Sequence, residues 1–96
     1  MPVACLMLEL RIEAARSLKD KRQVVRSVKD RLRAHFNVSV AELDAVNAWQ
    51  RATIGVAGIS DSRDYLKGLM EKVEREATRI ANGAGADVTD SFVEFL

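Results

Sequence analysis

The 96-residue sequence predicts an α+β fold of order βαββαβ, with a four-stranded antiparallel sheet and two helices on one face. Three observations predict it. Apolar residues alternate near both ends and twice in the middle, as strands require. Two longer segments repeat them at three- and four-residue spacing, as amphipathic helices do. Each helical segment lies between two strand-like ones, which makes two right-handed crossovers in one small sheet.

The first strand covers residues 3–12. Leu6, Leu8, Leu10 and Ile12 share one face; Val3, Cys5, Met7, Glu9 and Arg11 share the other. Ser17 suits the N-cap of a helix running to residue 35, with Asp20 placed for a capping box or to complement the dipole. Leu18, Val25, Val28, Leu32 and Phe36 make its apolar stripe. Strands follow at 38–44 and 50–59, joined over 44–48 by a hairpin connection slightly longer than the tight types. Gly55 and Gly58 mark thin packing or a close backbone approach in the third strand. Ser60-Asp61 is expected to cap a second helix over 62–82. Its stripe is Tyr65, Leu66, Leu69, Met70, Val73, Ala77 and Ile80, and Glu71 and Arg75 are set four apart in the favourable order. Asn82-Gly83 supplies a left-handed ending. Residues 87–96 close the sheet, with Val93 and Phe95 on one face and Phe92, Glu94 and Leu96 on the other. The whole is a single ferredoxin-like βαββαβ sandwich over 1–96, with strands one and three central.

Composition narrows the function. Hydrophobic residues are 48% and charged residues 30%, ordinary for a soluble globular domain. No apolar run is long enough to span a membrane, and Met1-Pro2-Val3-Ala4 lacks the basic start of a secretory signal. One cysteine excludes an internal disulfide, and Cys5 with a lone His35 excludes a Cys/His zinc site within one chain. A cytosolic protein is expected.

The net charge of +1 conceals an asymmetry. Residues 1–36 hold nine Lys/Arg against four Asp/Glu; residues 37–96 hold six against ten. Such a division hints at a charged partner surface. Lys19, Arg22, Arg26, Lys29 and Arg33 step by three and four, so they form one ridge about a quarter turn from the apolar stripe. A line of cations over four turns matches a phosphate backbone and would bind RNA in a salt-sensitive way. Arg16 and Lys21 would assist at the start of the helix. The competing possibility is that the ridge solvates the helix, shields the core edge or pairs with the acidic half. The sheet itself is unlike a base-stacking platform, because Phe36, Trp49, Tyr65, Phe92 and Phe95 all fall outside strands one and three.

Enzymatic signals are weak. The phosphate-binding glycine loop and the dinucleotide fingerprint are absent from the sequence. His35 sits at a helix end, where it complements the dipole, and Cys5 reads as a small apolar residue. Glu42, Asp44, Trp49, Gln50 and Arg51 bracket the hairpin. They are open to a cation or acid/base role, to a salt bridge beneath Trp49, or to an interface anchored by Trp49 and Arg51. The expectation is a non-enzyme with no cofactor and no metal site. On the sheet face away from the helices, Cys5, Met7, Phe92 and Leu96 would form an apolar patch, and a second copy is its simplest partner.

The stretch "ARSLKDKRQVVRSVKDRLRAHFNVSVAELD", followed by "WQRATIGVAGIS", resembles the small bacterial YlxP-like proteins, a domain of unknown function numbered 503. Ser17, Leu18, Lys19, Asp20, Lys21, Arg22, Glu42, Trp49, Gln50 and Arg51 carry the likeness. The resemblance implies the same ferredoxin-like fold and supplies no catalytic residues. Such proteins are often encoded near translation-initiation and ribosome-maturation factors, which points to RNA or ribosome association. The expected function is therefore RNA or ribonucleoprotein binding through the basic helix. The alternative is a homodimeric protein-interaction module, or a small-ligand regulatory one, joined through the open sheet face and involving Met7, Glu42, Trp49, Arg51 and Phe92.

Overall fold

The computed structural model describes residues 2–43 and 48–96. The chain runs β1 (Val3–Arg11), α1 (Leu18–His35), β2 (Ser39–Glu42), β3 (Arg51–Ile59), α2 (Arg63–Gly83) and β4 (Asp87–Phe95). The sheet order is β2-β3-β1-β4 and every pairing is antiparallel. The expected ferredoxin-like sandwich is the observed one, with β1 and β3 in the centre. Part of the expected hairpin connection, Asp44 included, lies outside the described residues.

The period-two pattern divides the sheet cleanly. Ala4, Leu6, Leu8 and Leu10 of β1 lie beside Ala52, Ile54 and Val56 of β3 and are buried. Leu66, Met70, Val73, Ala77 and Ile80 of α2 and Val25, Val28 and Leu32 of α1 complete this core. α2 packs over β1 and β4, and α1 over β2 and β3. Gly58 is what lets α2 come close. A Cβ there would stand 3.2 Å from the Met70 methyl and 3.4 Å from Leu69 Cδ2, tighter than the usual contact between apolar carbons.

Both helices begin on a serine. The Ser17 hydroxyl accepts from the Asp20 N–H at 3.2 Å, and the Asp20 carboxylate reaches back to the Arg16 N–H at 2.9 Å, one residue before the cap. Ser62, rather than Ser60-Asp61, caps α2, accepting from the Tyr65 N–H at 3.1 Å; Ser60 instead accepts from the Ser62 N–H. α2 also ends later than expected. Gly83 remains helical and Gly85, at φ 82°, provides the left-handed turn. Tyr65, expected in the apolar stripe, is 59% exposed. The expected Glu71–Arg75 pair is absent among the described ion pairs, and Glu76 pairs with Arg79 instead.

Candidate nucleic-acid interface

The basic ridge survives folding as a surface. Val25, Val28 and Leu32 anchor α1 to the sheet, so residues a quarter turn away must emerge at its flank. Lys19, Arg22, Arg26 and Arg33 are exposed and Lys29 is half-buried. The flank they occupy overhangs β2. Arg22, Arg26, Lys29 and Arg33 line a groove of about 360 Å³ there, with Val25, Asp30 and Glu42. The structure thus brings four of the five ridge cations to one groove, with Lys19 at the N-terminal end of the helix outside it.

Two acids, Asp30 and Glu42, share the groove with these cations. Asp30 approaches Arg33 only to 4.0 Å. Among the described residues Lys19, Arg22, Arg26 and Lys29 enter no ion pair. Arg33 has a second engagement: its Nη2 donates to the Val40 carbonyl of β2 at 3.0 Å. Arg16, just before the cap, is exposed.

Lys21 requires a correction. It is 5% exposed, and its Nζ lies 3.5 Å from Glu42 Oε2. It therefore cannot help hold a phosphate at the helix start. The reason is helical phase: Lys21 precedes Val25 and Val28 by four and seven residues, which places it in the core stripe. Its stem is buried there while its charge meets a carboxylate at the rim.

The residues expected around the hairpin also separate. Glu42 pairs in register with Ile54 and so faces the helix layer. Arg51 lies directly opposite Arg11 on the other face, so the two cannot bridge. Gln50 Nε2 donates to the Glu13 carbonyl at 3.1 Å, and Trp49 is half exposed in the turn before β3. Among the described residues no group of three or more His, Cys, Asp or Glu is placed to hold a metal ion. Glu9, Arg11, Gln50, Arg51, Thr89 and Asp90 surround a polar groove of about 350 Å³. Beside it the Thr53 hydroxyl, opposite Glu9 in the β1–β3 register, donates to the Glu9 carboxylate at 2.9 Å.

The open sheet face is apolar at its other end, as expected. The register sets Met7 between Phe92 and Gly55, and Cys5 between Glu94 and Ala57. Phe92 and Leu96 are 53% and 70% exposed. The sequence reading missed Leu43. Its side chain crosses Gly55 so closely that a Cβ at that glycine would fall 2.5 Å from Leu43 Cδ1. Leu43, Met7 and Cys5 border an apolar depression of about 210 Å³. Gly55 was the available signal, since a strand-interior glycine marks a close approach.

Residues 3–91 match the family described as "Protein of unknown function (DUF503)". The chain belongs to this family. It is 37% identical over 59 residues to the uncharacterized protein YlxP of Bacillus subtilis (strain 168), a match covering 62% of this chain and 64% of that protein. Among solved structures, this DUF503 chain superposes on a de novo designed ferredoxin-fold protein with a TM-score of 0.57, at 9% identity, covering 100% of this chain and 84% of the design. It also matches Arabidopsis thaliana MSL1 (TM-score 0.63, 18% identity, 93% of this chain and 34% of that one). A C-terminal segment of the aIF2 alpha subunit from Pyrococcus abyssi matches at a TM-score of 0.53 and 14% identity, over 97% of this chain and 50% of that one. At these identities the likeness concerns the fold alone. Among the described residues no helix is long and apolar enough to cross a membrane.

Proposed function

We propose that this DUF503 protein is a non-enzymatic, cytosolic RNA- or ribosome-associated protein that grips the phosphate backbone with the outer flank of α1. One observation carries the proposal. Four cations, Lys19, Arg22, Arg26 and Lys29, stand along the flank with no ion pair among the described residues. A ridge that served only internal pairing would have met the acids of β2 and α2. Instead Glu42 is engaged by the buried Lys21 and Glu76 by Arg79. Unpaired cations over about three turns favour a polyanion through counterion release. The groove between α1 and β2 gives the phosphates a track, and Arg33 borders it.

The test is a salt titration of binding to total RNA and to ribosomal subunits, with wild type beside Arg22→Glu/Arg26→Glu. Wild-type affinity should fall steeply with salt. Loss of two phosphate contacts should weaken binding and flatten the log–log slope by about 1.4 on single strands. An unchanged slope, or no binding at low salt, overturns the proposal.

A further inference from the structure

The two edges of the sheet are treated differently by the sequence. β2, on one edge, is four residues long. The Leu43 N–H donates to the Thr53 carbonyl at 2.9 Å, so by alternation Val40 and Glu42 turn their backbone groups outward. The outward Val40 carbonyl is then taken by Arg33, and the overhanging α1 flank covers the strand. Short length, nearby charge and cover are the usual protections of an edge.

β4, on the other edge, is nine residues long; α2 lies over its face and the Arg63 guanidinium stacks on Phe95 at 4.5 Å, but neither takes its outward backbone groups. Val3 and Leu96 exchange backbone hydrogen bonds at 2.8 and 3.4 Å. Alternation along the register Cys5–Glu94, Met7–Phe92 and Glu9–Asp90 leaves Ser91, Val93 and Phe95 facing outward. Asp90 Oδ1 accepts from the Ser91 N–H at 2.9 Å. Among the described residues the outward N–H and C=O groups of Val93 and Phe95 have no backbone partner. The irregularity in the β1–β4 register falls at Thr89, before this stretch, and neither proline nor lysine interrupts it. Both faces of the edge also present apolar side chains: Val93, 39% exposed on the helix side, and Phe92 and Leu96 on the open side.

We infer that a second copy of the chain pairs with this edge, β4 against β4 and antiparallel about a two-fold axis at Val93, to make one continuous eight-stranded sheet. Two-fold pairing is self-complementary, since the outward N–H groups of Val93 and Phe95 each meet a copy of an outward C=O. Centred on Val93, the two valines exchange both hydrogen bonds, and each Phe95 N–H reaches the Ser91 carbonyl of the partner subunit. Phe92 then lies opposite Glu94 of the partner subunit. A register centred on Glu94 would set two carboxylates face to face, which is unfavourable. The inference is independent of RNA binding, because β4 and the α1 flank lie at opposite edges of the sheet.

The experiment is sedimentation equilibrium from micromolar to millimolar concentration on wild type, Val93→Pro, Val93→Lys and Met7→Glu, with circular dichroism for the fold. Wild type should reach twice the 10.6 kDa chain mass. Val93→Pro, which removes an outward N–H, and Val93→Lys, which opposes two charges at the axis, should stay monomeric. Met7→Glu on the open face should still dimerise. In wild type, amide exchange at Val93 and Phe95 should slow by about tenfold or more as dimer forms, a readout independent of any variant's folding. A monomeric wild type overturns the inference. So does a dimer that survives both Val93 variants, or one broken by Met7→Glu alone, which would be sheet-face pairing.

Discussion

The two helices have the same beginning and opposite fates. Both start on a capping serine and both present an apolar stripe to one sheet. α2 lies over β1 and β4 and buries Leu66, Met70, Val73, Ala77, Ile80 and Ala81. Its exposed face mixes both signs of charge, and Glu76 pairs with Arg79 one turn on. α1 lies toward the β2 edge and buries only Val25, Val28, Leu32 and a lysine. Its exposed flank is cationic and, among the described residues, mostly without ion pairs. A helix that serves the core can neutralise itself, whereas a helix kept for a partner must leave its charges available. The comparison sets the deeper apolar stripe of α2 against the cationic flank of α1, which the proposed function assigns to recognition.

The strongest way to break this comparison is to truncate one anchor on each helix. Met70 is fully buried and its methyl sits against Gly58. Met70→Ala should cost about 3 kcal/mol in urea unfolding, from lost burial and the cavity left behind. Val25→Ala, at a site 5% exposed near the margin of the core, removes two methyl groups and should cost about 1.5 kcal/mol. Equal losses would mean that α1 is as deeply anchored as α2. The Met70 variant should keep the salt dependence of RNA binding at temperatures where it remains folded, because the ridge is untouched.

A smaller effect sharpens the comparison at the one charged residue that α1 does bury. Glu42→Ala takes the carboxylate from Lys21 and should cost about 2 kcal/mol. That is less than a fully enclosed pair would lose, because Glu42 is 30% exposed and water can partly replace it. It also removes an acid from the groove. RNA affinity should therefore rise while stability falls, a combination that a purely structural helix would not show. Parallel urea unfolding and RNA titration check both signs.

Lys21 also marks the limit of what could be read from the sequence. Periodicity located both helices, all four strands and the two sheet faces, because burial of one face imposes a period that composition preserves. It placed Lys19, Arg22, Arg26, Lys29 and Arg33 on one flank for the same reason. It did not separate a buried lysine from exposed ones, since a long basic stem can occupy an apolar stripe when a carboxylate waits at its rim. That carboxylate comes from β2, and only tertiary structure places Glu42 beside α1. Gly55 signalled a close approach without naming Leu43 as its partner, and the Arg33–Val40 hydrogen bond was hidden altogether, being a contact between elements.

The smallest expected effect belongs to the self-paired face of α2. The hydrogen bond from Arg79, helped by the charges of Arg79 and His35, lowers the Glu76 carboxyl below the ordinary glutamate range and outweighs the opposing desolvation. A depressed carboxyl contributes stability that is present above its unfolded pKa and is lost as pH falls through its folded one. The window therefore opens at the ordinary glutamate pKa and extends below it, on the acid side only. Because Arg79 is exposed and water reaches the pair, unfolding at neutral pH should scarcely register Arg79→Gln. A carboxyl-carbon NMR titration should register it clearly, with the Glu76 midpoint rising to the ordinary range in the variant. If Glu76 titrates normally in wild type, the pair does not form in solution. The mixed charges of α2 would then be as available to a partner as those of α1, and the division between the two helices would rest on charge sign alone.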